Sequence, residues 1–343
     1  MKIKYYLNFS EEKRQSMNMY GEELISYQKK KFKDLMISNY KPYLDNFSKV
    51  LFSKKWKMRY SRYVSYPKQI KKLPHHDIAH ICDHQYAHLH PYINSSLKFI
   101  TVHDLVPLVF EKKLKHNPKL LKFSLKNLKF FNKVFAISNN TKNDIIRYTD
   151  CPEEKIIVIF RAVEEEFNLN SIDKKQIAEK YKIPLNKKKI LISGDIFYKN
   201  NDVSFKVLKK LIEVDKNIIL IHIGSVIKNR KLSKDLEKNI IRLPFIERSE
   251  IPNIYKLIDI LLFPSIYEGF GMPILEAMSC GKPVVCSNNS SIKEITGSTA
   301  LMSNHNDVDF FVRNILKLLS DKELYNKLSS QAVNRSKIFN INL

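Results

Sequence analysis

The residues best equipped for chemistry crowd into one run, Phe263-Pro-Ser-Ile-Tyr-Glu-Gly-Phe-Gly-Met-Pro-Ile-Leu-Glu-Ala-Met-Ser-Cys-Gly-Lys-Pro-Val-Val, in which Glu268 and Glu276 bracket Gly269, Gly271 and Pro273. An apolar strand is expected to end at Phe263, the glycines to form a turn, Pro273 to open a short helix and Gly281 to close it before a second strand. The first turn of such a helix carries unpaired N–H groups and a partial positive charge, and glycine lets backbone approach a ligand closely, so the unit suits a diphosphate. Glu268 precedes the helix and Glu276 sits about one turn inside it, so the two carboxylates can address different ends of one ligand. A nucleotide sugar has such ends. A carboxylate that accepts two coplanar hydrogen bonds matches the vicinal ribose hydroxyls at Glu276 and the polar groups of a donor sugar at Glu268. The plainer reading is a turn with two solvated glutamates.

Other candidates are less specific. Lys199 and Asn200 follow the apolar run Ile190–Ile192, where a lysine can neutralise a departing diphosphate or simply be solvated. His103 ends the run Phe99–Val102, a position from which a side chain reaches a crevice, and beside Asp104 it also reads as a turn cap. His75, His76, His80, His84, His88 and His90 cluster without a zinc-ligand spacing, so no metal is expected; His80 and His88 are better suited to acceptor contacts. The Asp-x-Asp triplet Asp307 and Asp309 opens the amphipathic run to Leu319 and reads as a helix N-cap rather than a cation site.

The elements that must position these groups are legible from periodicity. Apolar runs at Ile78–Ile81, Phe99–Val102, Val134–Ile137, Ile156–Phe160, Ile190–Ile192, Ile218–Ile223, Ile260–Phe263 and Val284–Cys286 read as buried strands. Stretches of helical period such as Val203–Val214 and Asp309–Leu319 separate them, which predicts α/β architecture with parallel sheets covered on both faces. A chain of 343 residues suits two domains, and the acidic, then lysine-rich stretch Glu164–Lys188 suggests the division into 1–165 and 166–343.

A net charge of +24 favours anionic ligands without choosing among phosphates, nucleic acid and lipid. There is no basic recognition helix or aromatic stacking motif, so nucleic acid is not expected as a partner. Four cysteines without CxxC spacing and a start, MKIKYYLNFS, without an apolar signal core point to a reducing cytoplasm, and no apolar run is long enough to span a bilayer. The lysine-rich run Lys115–Lys133 reads either as a packed helix or as a peripheral dock on anionic lipid at the inner membrane face.

The string EGFGMPILEAMSCGKPVV resembles the E-x7-E signature of the retaining family 4 glycosyltransferases, and Ser287–Met302 resembles the segment that follows it there. The resemblance implies a GT-B fold, two Rossmann-like domains facing each other across a cleft, with the acceptor side N-terminal and the nucleotide sugar bound C-terminally. It assigns Glu276 to ribose, Glu268 to the donor sugar and reaction centre, and Gly269, Phe270, Gly271, Met272 and Leu275 to the donor site. Arg242–Tyr255 resembles the base-binding strand and helix, with the backbone of Phe245 and Ile246 at the base. Leu191–Leu211 resembles the first unit of the donor domain and brings in Gly194, Lys199 and Asn200; Asp195 stands where many relatives have arginine, in a loop one residue shorter. Asp77–His90 and Phe99–Phe110 resemble cleft-facing segments, which places His103 near the donor sugar and in the chemistry. Val158–Phe167 resembles the domain junction with Arg161-Ala162 in place of Asn-Gly, and only Gly21 stands where relatives carry a glycine-rich loop. The implied activity is metal-independent, retaining transfer from a nucleotide-diphosphate sugar to a sugar, glycan or lipid-linked acceptor hydroxyl in polysaccharide or glycolipid synthesis, with no cofactor beyond the donor. A sugar-nucleotide epimerase or a catalytically silent sugar-nucleotide binder would share most of these features.

Overall fold

Ile and Leu dominate the strands Ile218–Ile223 and Ile260–Phe263 because these are buried on both faces of their sheet, and side chains branched at Cβ pack well on a pleated surface. The computed structural model describes residues 1–12, 15–50, 53–114, 118–224, 232–244 and 246–339, apart from the Gln15 side chain. It divides into two units, Met1–Ile159 and Phe160–Leu343.

In the first unit, strands β1 (Lys2–Tyr6), β2 (Met36–Tyr40), β3 (His76–Ile81), β4 (Ser95–Val102), β5 (Lys133–Ala136) and β6 (Ile156–Val158) form a sheet in the order β2-β1-β3-β4-β5-β6. Every pairing is parallel. In the second, β7 (Lys188–Ser193), β8 (Ile218–Ile223), β9 (Ile240–Leu243), β10 (Ile260–Phe263), β11 (Val284–Ser287) and β12 (Leu301–Ser303) form an equally parallel sheet in the order β12-β11-β10-β7-β8-β9. Both orders are doubly wound. In the second sheet the chain moves outward from β7 through β8 to β9, returns to β10 beside β7, and moves outward the other way. Ligands in such sheets bind beyond the carboxyl ends of the strands where the winding reverses, here between β7 and β10.

Each unit has its own core. Ile81, Ile100, Val102, Val134 and Ala136 centre the first, and Ile190, Ile192, Leu208, Ile260, Leu262 and Phe311 the second. Each such Ile, Leu, Val or Phe side chain contributes about 1.5–3 kcal/mol when buried. Caps fix the helix starts: Asp307 accepts from the Phe310 N–H at 3.1 Å ahead of the helix Val308–Ser320, and Ser138 accepts from the Thr141 N–H at 3.0 Å ahead of Asn139–Tyr148. Asp307 therefore has the capping role its sequence position suggests.

The apolar runs of the sequence became β3 to β8, β10 and β11. Periodicity missed β1, β2, β9 and β12, because lysines punctuate β1, the edge strand β2 buries no residue, Arg242 interrupts the four-residue β9, and β12 is short with every residue half-buried. The run Lys115–Lys133 is not one amphipathic helix: residues 115–117 lie outside the described residues, and the rest comprises a helix Lys119–Leu125, a 3₁₀ turn Leu128–Phe130 and the start of β5. Among the described residues no helix is long and apolar enough to cross a membrane.

Candidate functional site

The loops that leave β7 and β10 carry nearly all of the candidates. Gly194 follows β7 with φ +90°, and a Cβ added there would stand 3.1 Å from Cε of Lys199, so the missing side chain is what lets Lys199 lie across it. Asn200 adopts a left-handed conformation, φ 58°, and donates its side-chain amide to the carbonyls of Pro264 at 3.1 Å and His305 at 2.8 Å. Asn200 thus ties the β7 loop to the β10 loop. Asp195, the departure noted above, pairs at 2.7 Å with His222, whose pKa is held down by burial against the pull of that carboxylate.

After β10, Gly271 is the N-cap of the helix Met272–Ser279 with φ +114°, and Pro273 stands in its first turn. The turn is pinned from a neighbouring segment. Ser291 Oγ donates to the carbonyls of Glu268 at 3.0 Å and Phe270 at 2.6 Å, while the Glu268 N–H donates to Ser290 Oγ at 2.8 Å. Phe270 and Leu275 are buried, with Phe270 packed among Phe160 and Phe339, so these two present backbone rather than side chain.

Both carboxylates are buried, and each is neutralised by a different cation. Glu268 Oε1 lies 2.8 Å from Lys199 Nζ, which also sits 4.7 Å from the centroid of the Phe263 ring. Glu276 Oε1 lies 2.7 Å from Arg248 Nη1. Arg248 in turn donates through Nε and Nη2 to the two carboxylate oxygens of Glu164, each at 2.7 Å, and its guanidinium stacks 4.8 Å from the Phe167 ring. Burial opposes the Arg248 charge, but Glu276 and Glu164 outweigh it and raise its pKa. Tyr255 lies beside Glu276 with its hydroxyl buried, and burial together with the Glu276 charge holds that phenol well above its usual pKa. A buried carboxylate left unpaired would be costly, so the two ion pairs explain how both can stay inside.

The structure therefore gathers Gly194, Lys199, Asn200, Glu268, Gly269, Phe270, Gly271, Met272, Leu275 and Glu276 at one end of the second sheet. Ile246 is buried just beyond β9, and Phe245 lies outside the described residues. His103 belongs to the first unit, where it follows β4, is buried, donates Nε2–H to the Cys82 carbonyl at 2.8 Å and packs edge-on to Tyr20 at 4.7 Å. His80 is hydrogen-bonded to Thr101 Oγ1 at 2.8 Å, and His88 to Ser124 Oγ at 2.9 Å and the Arg62 carbonyl at 3.0 Å. Both are buried. Among the described residues no group of three or more His, Cys, Asp or Glu side chains is placed to hold a metal ion. Sequence reasoning missed Arg248, Glu164, Tyr255 and the serine pair; Arg248 lies inside a segment already singled out, but its partner Glu164 is 84 residues away.

This fold recurs in known structures. The chain superposes over 99% of its length on 96% of Anabaena Alr3699/HepE, solved in complex with UDP and glucose, with a TM-score of 0.76 at 15% identity. The fold is GT-B. Within this GT-B chain, residues 173–335 match the family model of the glycosyl transferases group 1, a range that holds the β7 and β10 loops. Serotype-specific mannosyltransferase WbdA of Escherichia coli is 28% identical over 253 residues, 69% of this chain and 31% of that protein. O-antigen chain mannosyltransferase B of Escherichia coli is 47% identical over 79 residues, 23% of this chain and 21% of that protein. The chain thus spans under a third of the length of these curated relatives.

Proposed function

We propose that the protein is a retaining glycosyltransferase that moves a hexosyl group from a nucleotide-diphosphate sugar to an acceptor hydroxyl in polysaccharide or glycolipid assembly. The observation that carries this reading is the pair of buried, cation-held carboxylates flanking a glycine-capped helix start at the switch point of a doubly wound sheet. The mannosyl-transferring relatives and the nucleotide-bound structural neighbour support it.

In this reading Glu276 accepts from the ribose hydroxyls, held in place by Arg248, and Glu268 accepts from the donor sugar. The first-turn N–H groups of the helix Met272–Ser279 and the ammonium of Lys199 receive the diphosphate. As the bond between the anomeric carbon and the diphosphate oxygen breaks, negative charge grows on that oxygen, and fixed N–H dipoles and a nearby cation stabilise it without reorganising. The acceptor hydroxyl attacks on the face the diphosphate leaves and passes its proton to the departing phosphate oxygen, which preserves the anomeric configuration. The backbone at Ile246 meets the base, and His103 is the acceptor-side group assigned to the transferred sugar. The acceptor is a sugar, glycan or lipid-linked glycan, met in the cytoplasm or at the inner membrane face.

A thermal-shift screen of uridine, guanosine and adenosine diphosphate sugars, followed by product analysis with and without acceptor, tests the reading. One donor is expected to stabilise the folded protein by about 2.7 kcal/mol at a hundredfold excess over its dissociation constant. A new glycoside then appears only when acceptor is present. A new nucleotide sugar formed without acceptor would make the protein an epimerase, and binding without any product a silent binder.

A further inference from the structure

A cavity of about 540 Å³ in the first unit is unused by the donor site just described. Gln85, in the segment after β3, and Pro107, after β4, both line it, so it opens at the carboxyl edge of the first sheet, where ligands of parallel sheets lie. Its volume is that of a small-molecule site.

Its chemistry is two-sided. Lys54, Lys55 and Arg59 of the helix Lys54–Tyr60 line it, as does Arg62 of the π-helical turn Ser61–Ser65. No acidic side chain is among the described lining residues. Arg62 is already compensated, with Nε and Nη2 on Glu12 Oε1 at 3.1 and 2.5 Å and Nη1 on Gln85 Oε1 at 2.8 Å. Lys54, Lys55 and Arg59 have no ion pair with a described residue, which leaves three positive charges facing one cavity. Such a site attracts a multiply charged anion such as a phosphate. Met58, Leu120 and Leu121 supply apolar lining that a free inorganic ion would not use. The π-helical turn is itself a feature that recurs at functional sites, and here it carries Arg62 and Tyr63 into the lining.

The rim points to the source of the phosphate. Trp56 is 62% exposed on the cationic helix, with the Arg59 guanidinium 5.4 Å from its ring, and Phe123 is 55% exposed, 6.2 Å from the ring of the lining residue Tyr63. Exposed tryptophan and phenylalanine among lysines suit the interfacial layer of an anionic bilayer, where an aromatic ring has both an apolar and a polar environment.

We propose that this cavity seats the phosphate-bearing head of a membrane lipid, with the lipid's first carbons against Met58, Leu120 and Leu121 and with Trp56 and Phe123 in the bilayer interface. The proposal deepens the transfer reading by naming a lipid phosphate as the acceptor's carrier, and it rests on that reading for the acceptor role but not for the binding.

The test is co-sedimentation of the full chain with phosphatidylcholine vesicles, with and without phosphatidic acid. Alongside the parent run the cavity variant Lys54→Gln/Lys55→Gln/Arg59→Gln, the control Lys206→Gln/Lys209→Gln/Lys216→Gln of equal charge change in the second unit, and Trp56→Ala. The parent is expected to partition onto the phosphatidic acid vesicles, the cavity variant to bind them about a hundredfold more weakly, and the control to stay close to the parent. Trp56→Ala is expected to fall between parent and cavity variant. Equal losses in cavity and control variants would reduce the effect to bulk charge and overturn the proposal. So would stabilisation by millimolar inorganic phosphate equal to that by a soluble short-chain phosphatidic acid, since the site would then be one for free phosphate. Unchanged thermal unfolding of the cavity variant without lipid shows that it is folded. Lipid binding by a protein that binds no nucleotide sugar would sink the transfer reading and leave this one standing.

Discussion

Glu268 and Glu276 are both buried, yet they sit in different electrostatic surroundings, and that difference separates their expected roles. Glu268 faces a lysine that also borders the glycine loop, whereas Glu276 is gripped by an arginine whose other edge is clamped by Glu164. A planar guanidinium bonded along two edges fixes the plane of the carboxylate it meets, which suits recognition of a vicinal diol. Arg248 is thus a positioning residue in the proposed reaction. Glu276→Gln is expected to weaken nucleotide-sugar binding roughly 10- to 100-fold, the value of one or two charge-assisted hydrogen bonds. Arg248→Gln should raise KM more than it lowers kcat, and should erode the preference for a ribonucleotide over its 2′-deoxy analogue, which calorimetry on the two nucleotide diphosphates would read. An unaltered preference in that variant would reduce Arg248 to a structural neutraliser. Arg248→Gln should also cost about 1–3 kcal/mol of stability, because two carboxylates lose their cation. Glu268→Gln is expected to lower kcat with little change in donor binding, and equal kinetics to the parent would remove Glu268 from the chemistry.

At the scale of elements, the helix Met272–Ser279 is short, and its start depends on one backbone conformation. Gly271 sits at φ +114°, which a residue with a side chain rarely adopts, and a Cβ there would lie 3.2 Å from Ile295 Cδ1. Gly271→Ala is expected to cost about 1–3 kcal/mol, seen as a lower denaturant midpoint at unchanged slope. The same substitution should weaken diphosphate binding more than Gly297→Ala, which strains another left-handed glycine, φ +56°, whose added Cβ would meet Arg335. Equal binding by the two variants would show that the helix start does not hold the phosphates. The eight-residue run Glu268 to Leu275 makes a turn, a cap and a helix start, and most of this was readable because glycine and proline act locally. The pinning of that turn by Ser290 and Ser291 was not readable, since it depends on where the chain returns after β11.

At the scale of the whole molecule, three histidines of the first unit, His80, His88 and His90, tie its stability to pH. Burial pushes the His80 pKa down to about 3 and those of His88 and His90 down to about 4, with Lys98 adding to the effect at His90. Their ordinary value in an unfolded chain is 6.5, so between 6.5 and the depressed values the unfolded state binds more protons than the folded one. Stability is therefore full above about pH 6.5 and falls as the pH drops towards 4, by up to about 3 kcal/mol for His88 alone. Thermal unfolding should show a lower midpoint for the first unit at pH 5 than at pH 7.5, and His88→Gln should flatten that dependence. A midpoint that does not move between pH 7.5 and 5 would contradict the burial of these histidines.

By itself the sequence determined the α/β class, most of the strands, the glycine turn with its helix and the placing of both glutamates around it, because each of these follows from periodicity or from glycine and proline over a few residues. It also made β1, β2, β9 and β12 hard to see, since lysines interrupt β1, β2 is an edge strand without a buried residue, Arg242 interrupts β9 and β12 is short. Only the tertiary structure decided which strands lie side by side, and hence that the β7 and β10 loops meet where the winding reverses. It alone paired Glu276 with Arg248 and Arg248 with Glu164, gave the His103 Nε2 proton to a carbonyl, and set the cations of the helix Lys54–Tyr60 opposite Gln85, Pro107 and Leu121 around one cavity. The physical reason is common to all of these. Local propensity acts between residues near in the chain, whereas neutralising a buried charge or lining a cavity brings together groups that only the chain's path through space makes neighbours.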